Sequence, residues 1–165
     1  MSFEHGQGEP HVEIREFTIV DYDEVLSLWK ASEGIGLGES DTCEAIAAFL
    51  ARNPGLCFVA RDGGPLVGAV LCGHDGRRAY LHHLAVAISH RRRGVGRLLA
   101  NRCVESVRSL GISRCHVFVF RTNENARAFW QREGWWERDD LWMMTRDVIG
   151  ADATGGGQSQ RGCSC

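Results

Sequence analysis

Residues 91–96 form a hexapeptide, Arg-Arg-Arg-Gly-Val-Gly, whose composition suits the binding of an anion. An apolar, strand-like stretch precedes it and a helical pattern follows it. The first N–H groups of a helix have no intrahelical partners and carry partial positive charge, so they attract anions. Gly94 and Gly96 have no Cβ and would allow a ligand to lie close to those N–H groups. The turn therefore predicts a site for a phosphate-bearing ligand.

Two common nucleotide motifs do not match this turn. A P-loop requires Gly-Lys-Ser/Thr at the start of the helix, whereas Gly96 is followed by Arg97 and a leucine. A dinucleotide-binding fingerprint requires a small residue at position 99, which is Leu99. The remaining pattern is Arg/Gln-x-x-Gly-x-Gly, met by Arg91, Gly94 and Gly96. The alternative interpretation is a solvated basic turn with no ligand.

A second motif follows the glycine turn: Asn123-x-x-Ala126-x-x-x-Trp130-x-x-x-Gly134-Trp135. It is similar to the later signature of the GNAT superfamily (Gcn5-related N-acetyltransferases), Asn-x-x-Ala-x-x-x-Tyr-x-x-x-Gly-Phe. The turn resembles the pyrophosphate-binding motif of the same family. With both motifs at the family's spacing, the chain resembles a small, single-domain GNAT protein of the bacterial type.

The order of predicted elements agrees with that resemblance. Hydrophobic periodicity and turn residues predict β-α-α-β-β-β-α-β-α-β. Capping patterns place helix starts at Asp21 and Asp41, and Gly134 ends the last helix. The strands are predicted at residues 11–17, 56–60, 66–72, 78–86 and 113–120, with one or two more within 135–147. This order predicts an α/β fold, a mixed and mainly antiparallel sheet with helices on both faces, as in the GNAT acyl-CoA N-acyltransferase fold.

Length and composition limit the remaining possibilities. The 165 residues suit one domain, predicted at 11–149, with a disordered lead-in at 1–10 and a disordered tail at 150–165. A net charge of −2 argues against general nucleic-acid binding. No apolar run approaches the ~20 residues of a membrane span, and no secretory signal is visible. A cytoplasmic protein with unpaired cysteines is expected, because the cysteine count is odd and four of the seven lie in apolar stretches.

The resemblance implies acetyl-CoA as the co-substrate. A bulge at residues 84–86 would separate that strand from the strand at 117–120, and pantetheine would insert between them. The pyrophosphate would lie on the backbone N–H groups of residues 92–97, while Asn123 would hydrogen-bond pantetheine. The implied cofactor-binding residues are Leu84, Ala85, Val86, Arg91, Arg92, Arg93, Gly94, Val95, Gly96, Arg97, Asn123, Ala126, Phe129 and Trp130.

The implied reaction is acetyl transfer to a primary amine by direct attack in a ternary complex. The backbone N–H of Ala85 or Val86 would stabilise the oxyanion. His82 and His83 are candidate general bases, expected on opposite faces of their strand because side chains alternate. Both could instead be ordinary sheet residues. Adjacent strand histidines do not easily share one metal ion, so no metal site is predicted.

Weaker candidates for the base are Tyr80, Glu33 and Glu39. The sequence departs from the family pattern at Trp130, which stands where a tyrosine commonly protonates the leaving thiolate. The residues Val119 and Phe120 stand where relatives that acetylate protein N-termini place a glutamate.

The acceptor therefore stays open: a small molecule, an amino acid or a peptide. A homodimer is compatible with the resemblance. The alternative function is a non-catalytic acyl-CoA-binding sensor or regulatory module with the same fold, which the missing tyrosine would favour.

Overall fold

A five-stranded sheet forms the centre of the protein, whose computed structural model describes residues 12–148. Its strands lie side by side in chain order: β1 (Val12–Glu16), β2 (Phe58–Asp62), β3 (Leu66–His74), β4 (Ala79–Val86) and β5 (Cys115–Val117). The first three pairs are antiparallel, and β4 and β5 are parallel because a helix connects them. The predicted mixed and mainly antiparallel sheet is confirmed.

Four α-helices cover the two faces of this sheet. They are α1 (Tyr22–Lys30), α2 (Cys43–Arg52), α3 (Val95–Ser109) and α4 (Glu124–Arg132). The helices α1 and α2 bury residues such as Trp29 and Ile46 against one face, and α3 and α4 bury Leu99 and Trp130 against the other. Helices on both faces were predicted and are found. Within residues 12–148, no helix has both the length and the apolar character needed to cross a bilayer.

The two capping aspartates do not act as the sequence predicts. Thr42, not Asp41, caps α2, because its hydroxyl accepts a hydrogen bond from the N–H of Ala45 at 3.3 Å. Asp41 lies in a short 3₁₀ turn (Glu39–Asp41) and is buried. Asp21 does precede α1, but its carboxylate bonds to arginines instead of the helix. Asp21 is directed into the protein by the nearby Arg15 and by Arg61, which lies 40 positions further along the chain.

The strand predicted within residues 135–147 is absent from the structure. This segment follows α4 without pairing to β5, and its apolar side chains are largely exposed, including Trp142 at 84 % and Met144 at 91 %. Among residues 12–148, no layer packs on those side chains to stabilise a strand. The predicted terminal segments 1–10 and 150–165 lie outside the described residues.

Candidate active site

A bulge in β4 distorts the centre of the sheet. His82 opposes Leu71 of β3, whereas Ala85 opposes Ala69, so two β4 residues face the single residue Val70. His83, within the bulge, has a φ of +51°, which is rare for a residue with a side chain. The resemblance placed a bulge at residues 84–86, and the structure places it at His83 and Leu84.

Downstream of the bulge, β4 loses its neighbour on one side. The parallel pairing with β5 ends at Leu81 and Val117, while β4 itself continues to Val86. A cleft of ≈ 260 Å³ opens there between the separated strands. It is lined by the downstream half of β4, residues 117–120, the start of α3, one face of α4 and the loop residues 32–35. The cleft is therefore the gap where β4 and β5 separate.

The glycine turn forms one end of the cleft. Gly94 caps α3 with a φ of +80°, a conformation that glycine adopts without strain. The first intrahelical bond runs from Leu98 to Gly94, so the N–H groups at positions 94–97 have no acceptor within the described residues. A Cβ at Gly96 would touch the Phe129 ring at 3.4 Å, so this glycine leaves space beside the cleft wall.

Arg91 of the motif and the adjacent Arg97 have protein partners of their own. Arg91 donates from Nε to the backbone carbonyl of Val86 at 3.1 Å, at the open side of β4. Arg97 forms an ion pair with Glu133 at the end of α4, with Nε 3.0 Å from Oε2. The exposed Arg92 and Arg93 add positive charge beside the turn. The start of α3 is therefore an electropositive surface with unused N–H groups.

The other wall of the cleft comes from α4. Asn123 caps this helix, with Oδ1 accepting the N–H of Ala126 at 3.0 Å. The carboxamide also lies against the backbone of Gly34, in the loop between α1 and α2. Trp130 is buried, with its ring centroid 4.8 Å from that of Trp135. Asn123 thus has one structural role already, and its NH₂ group lies beside Gly34 at the mouth of the cleft.

The two candidate histidines lie on the same face of the sheet, so the prediction of opposite faces is wrong. His82 packs against Phe49 of α2, and His83 packs against Trp29 of α1. The physical reason is the bulge, since the inserted residue interrupts the alternation of side chains. Both imidazoles line the cleft from the side of α1 and α2.

His83 is held in place at three points. Its Nε2 lies 2.8 Å from Oδ1 of Asp41, and both residues are buried. Its backbone carbonyl accepts a hydrogen bond from Trp29 Nε1 at 3.1 Å. The ring of Trp29 also contacts the imidazole edge to face, with centroids 4.9 Å apart. Sequence reasoning missed Asp41, which lies 42 positions from His83 and carries no local signal of that contact.

His82 has a different environment. Its Nδ1 is buried with no hydrogen-bond partner among residues 12–148. Burial, with a smaller contribution from His83, lowers the pKa of His82 to about 4. The imidazole is therefore uncharged at neutral pH. Because its conjugate acid is so strong, His82 is a weak proton acceptor.

The three weaker candidates for the general base lie at different distances from the cleft. Glu33 lines it, while Glu39 lies outside it in the 3₁₀ turn. Tyr80 stacks on Phe118 with ring centroids 6.1 Å apart, next to the cleft. In the described part of the chain, no three histidine, cysteine or acidic side chains converge as a metal-binding group would.

Comparisons with known proteins identify the family to which this chain belongs. The family model described as "Acetyltransferase (GNAT) family" matches residues 22–135, so the chain belongs to that family. An acetyltransferase from Sodalis glossinidius is 25 % identical over 138 residues, covering 84 % of this chain and 96 % of the relative.

Solved structures agree in fold. The PaiA N-acetyltransferase from Thermoplasma acidophilum, in complex with coenzyme A, matches with a TM-score of 0.65 at 20 % identity, covering 73 % of this chain and 87 % of that one. The enzyme AAC(6')-Iy, in complex with the bisubstrate analogue CoA-S-monomethyl-acetylneamine, matches with a TM-score of 0.68 at 18 % identity, covering 83 % and 99 %. The predicted GNAT membership is confirmed.

Proposed function

We propose that this protein transfers the acetyl group of acetyl-CoA to a primary amine by direct attack, without a covalent enzyme intermediate. The observation that carries the proposal is the separation of β4 from β5, which opens a cleft leading to the glycine turn of α3. A thioester can reach the middle of the sheet through this gap while its diphosphate stays at the helix start. Membership of the acetyltransferase family supports the same chemistry.

The glycine turn would bind the pyrophosphate of the cofactor. Four backbone N–H groups at positions 94–97 have no acceptor in the described part of the chain, and the helix dipole adds positive charge. Each charge-assisted hydrogen bond contributes about 1.5–3 kcal/mol. The side chains of Arg92 and Arg93 are exposed beside these groups and add long-range attraction.

Backbone groups of β4 and side chains of α4 would hold the pantetheine arm. Ala87 donates its N–H to Val67 on β3 at 2.8 Å, so strand alternation turns the peptide groups of Val86 toward the gap. The N–H of Val86 is thus better placed than that of Ala85 to stabilise an oxyanion. The NH₂ group of Asn123 would bond to pantetheine, with Phe129 and Trp130 packing beside the thiol.

His83 is the better candidate for the general base. An acceptor amine carries a proton at neutral pH and must lose it before it can attack. His83 lines the cleft and is oriented by Asp41, whereas His82 has a pKa of about 4 and is too weak a base. The leaving thiolate would take its proton from water, because the indole of Trp130 is not an acid.

The acceptor belongs to the broad class of primary amines, which includes small molecules, amino acids and peptides. AAC(6')-Iy, a neighbour in fold, was solved with an analogue built on neamine, so aminoglycosides belong in a test panel. We place the reaction in the cytoplasm, where the cysteines at positions 43, 57, 72, 103 and 115 would stay reduced, as they are in the structure.

The test is amine-stimulated release of free thiol from acetyl-CoA. The purified protein is mixed with acetyl-CoA and a panel of alkylamines, polyamines, amino acids, peptides and aminoglycosides. We expect at least one class of amine to accelerate thiol release and to yield the N-acetyl product by mass spectrometry. Tight acetyl-CoA binding in calorimetry, with no release for any amine, would contradict the enzyme assignment and favour an acyl-CoA sensor.

A further inference from the structure

We propose that Asp41 is a positioning residue that fixes the tautomer of His83, so that Asp41 and His83 act together as the general base of the cleft. This inference rests on the proposed acetyl transfer and assigns a residue to it. The carboxylate Oδ1 lies 2.8 Å from Nε2, and the two side chains are 6 % and 5 % exposed.

The direction of the hydrogen bond follows from the chemistry of the two groups. An ionised carboxylate only accepts hydrogen bonds, so Nε2 of His83 must carry the hydrogen. Nδ1 then has a free lone pair. Among residues 12–148, Nδ1 of His83 has no hydrogen-bond partner, and it is not sealed from solvent as Nδ1 of His82 is. Because His83 lines the cleft, this lone pair is available to an acceptor bound there.

Asp41 is itself held rigidly. Its second oxygen, Oδ2, accepts the backbone N–H of Gly38 at 2.8 Å. Its backbone carbonyl accepts the hydroxyl of Tyr22 at 2.8 Å. A carboxylate fixed in this way restrains the imidazole, as in other sites where a third group orients the base. The unusual φ of His83 is stabilised by the same set of contacts.

The proton balance of the step is complete. Nδ1 of His83 takes a proton from the ammonium of the acceptor, and the freed lone pair attacks the thioester carbonyl carbon. A C–N bond forms, the C–S bond breaks, and coenzyme A leaves as a thiolate. The second proton lost by nitrogen passes to water, water supplies the proton that the thiolate takes up, and the imidazolium returns its own proton to solvent.

Asp41→Asn tests the proposal, because the asparagine keeps the shape of the side chain. Its carbonyl would still accept the N–H of Gly38, so its NH₂ group would face Nε2 of His83. That arrangement forces the hydrogen onto Nδ1 and removes the lone pair from the cleft. We expect kcat to fall by about 100-fold, in the range typical of general-base catalysis, with KM for acetyl-CoA changed less than twofold.

The pH profile provides a readout that a merely structural role would not change. Besides Asp41, the titratable or charged residues that line the cleft with His83 or bond to Asp41 are, within residues 12–148, His82, Glu33, Arg91 and Tyr22. With its lone pair turned out of the cleft, His83 no longer acts as the base in Asp41→Asn. The residual rate should therefore follow the fraction of acceptor amine that is already deprotonated, and rise with pH up to the pKa of that amine.

Asp62→Asn is the matched control. Asp62 pairs with His90 at 2.9 Å in the same manner, but this pair lies outside the cleft. The control should keep its kcat within twofold and its pH profile unchanged. Equal losses in Asp41→Asn and Asp62→Asn would overturn the proposal.

Nitrogen-15 NMR of the histidine side chains tests the tautomer without any acceptor. The wild-type protein should show a protonated Nε2 and an unprotonated Nδ1 at His83, and Asp41→Asn should reverse them. A wild-type protein with hydrogen on Nδ1 overturns the proposal, as does Asp41→Asn with unchanged kcat and pH profile. Absence of thiol release with every amine would instead contradict the proposed function, while the spectrum still decides the tautomer.

Discussion

The two halves of β4 have opposite surroundings. The upstream half, Ala79–Leu81, pairs with β3 on one side and β5 on the other. The downstream half, Leu84–Val86, pairs with β3 alone and borders the cleft. The bulge at His83 separates them. One strand therefore serves as closed scaffold at its start and as an open edge at its end.

Stability and function depend on different parts of this strand. In the closed part of the sheet, buried groups bond to other protein groups, so a substitution there should lower the free energy of unfolding. At the open end, the N–H groups at positions 94–97 and the Nδ1 atoms of His82 and His83 have no hydrogen-bond partner among residues 12–148. A substitution at that end should lower ligand binding or turnover while the fold is retained.

The largest expected effect is at the open end, in the variant Gly94→Asp with Gly96→Asp. Two carboxylates would lie beside the N–H groups that we assign to pyrophosphate. At Gly96 a Cβ also approaches Phe129, whereas one at Gly94 meets nothing within 4 Å. We expect coenzyme A affinity to fall by at least about 100-fold, equivalent to ~2.7 kcal/mol, as measured by calorimetry.

The matched control is Asn101→Asp, which adds negative charge to an exposed position of the same helix. Its affinity should stay within about threefold of wild type, since exposed charges at that distance are screened. Unchanged affinity in the double glycine variant, with a native circular dichroism spectrum, would remove the pyrophosphate assignment.

The second prediction concerns Asp21, in the closed part of the sheet, and its contribution to the free energy of unfolding. Asp21 is buried and bonds to Arg15 at 2.6 Å and to Arg61 at 2.9 Å, joining β1 to β2. Burial alone would raise the pKa of Asp21, but these two guanidinium groups outweigh it and hold the pKa well below its usual range. The stability from this carboxylate is therefore present above about pH 4 and lost as the pH falls further.

Asp21→Asn should lower the free energy of unfolding at pH 7 by about 2 kcal/mol, less than for a fully buried pair because the arginines are partly exposed. Urea unfolding measures it. Asp140→Asn removes an exposed carboxylate that pairs with Arg138, and should leave the free energy of unfolding nearly unchanged because solvent screens that pair. Coenzyme A affinity should be unchanged in both variants. A loss of affinity in Asp21→Asn would break the division between the two regions.

The third prediction tests His82, at the boundary between the halves. The pKa of its imidazole is about 4, against 6.5 in an unfolded chain, because burial disfavours the charged form. The folded state thus takes up this proton at lower pH than the unfolded chain. The stability of the neutral form is complete above pH 6.5 and is lost as the pH falls toward 4, by about 3 kcal/mol in total.

His82→Phe keeps a ring against Phe49 and Tyr80 but removes the titration. Urea unfolding at pH 7 and at pH 4.5 should show a pH-dependent loss of stability about 2 kcal/mol smaller than in wild type. The measurement stays above the range in which Asp21 titrates. An identical pH dependence in the two proteins would contradict the burial of a neutral imidazole.

Local sequence signals predicted much of the closed scaffold, whereas the gap between the two strands was implied by the family resemblance. Gly94 and Asn123 fall at element starts, where turn and capping chemistry is visible in the sequence. The contact of Asp41 with His83 was not predictable, because it joins two segments through tertiary packing alone. The face occupied by His83 depends on a bulge, which shifts a side chain without leaving a sequence pattern.

The smallest expected effect is in Trp130→Tyr, which restores the tyrosine of the family pattern at the open end. Trp130 packs on Trp135 and Phe129, so the smaller ring should cost about 1–2 kcal/mol of unfolding free energy. We expect kcat to change less than about threefold, because water can protonate a good leaving thiolate. An increase in kcat above about tenfold would instead show that thiolate protonation limits turnover, and that turnover is slower with an indole at this position than with a phenol.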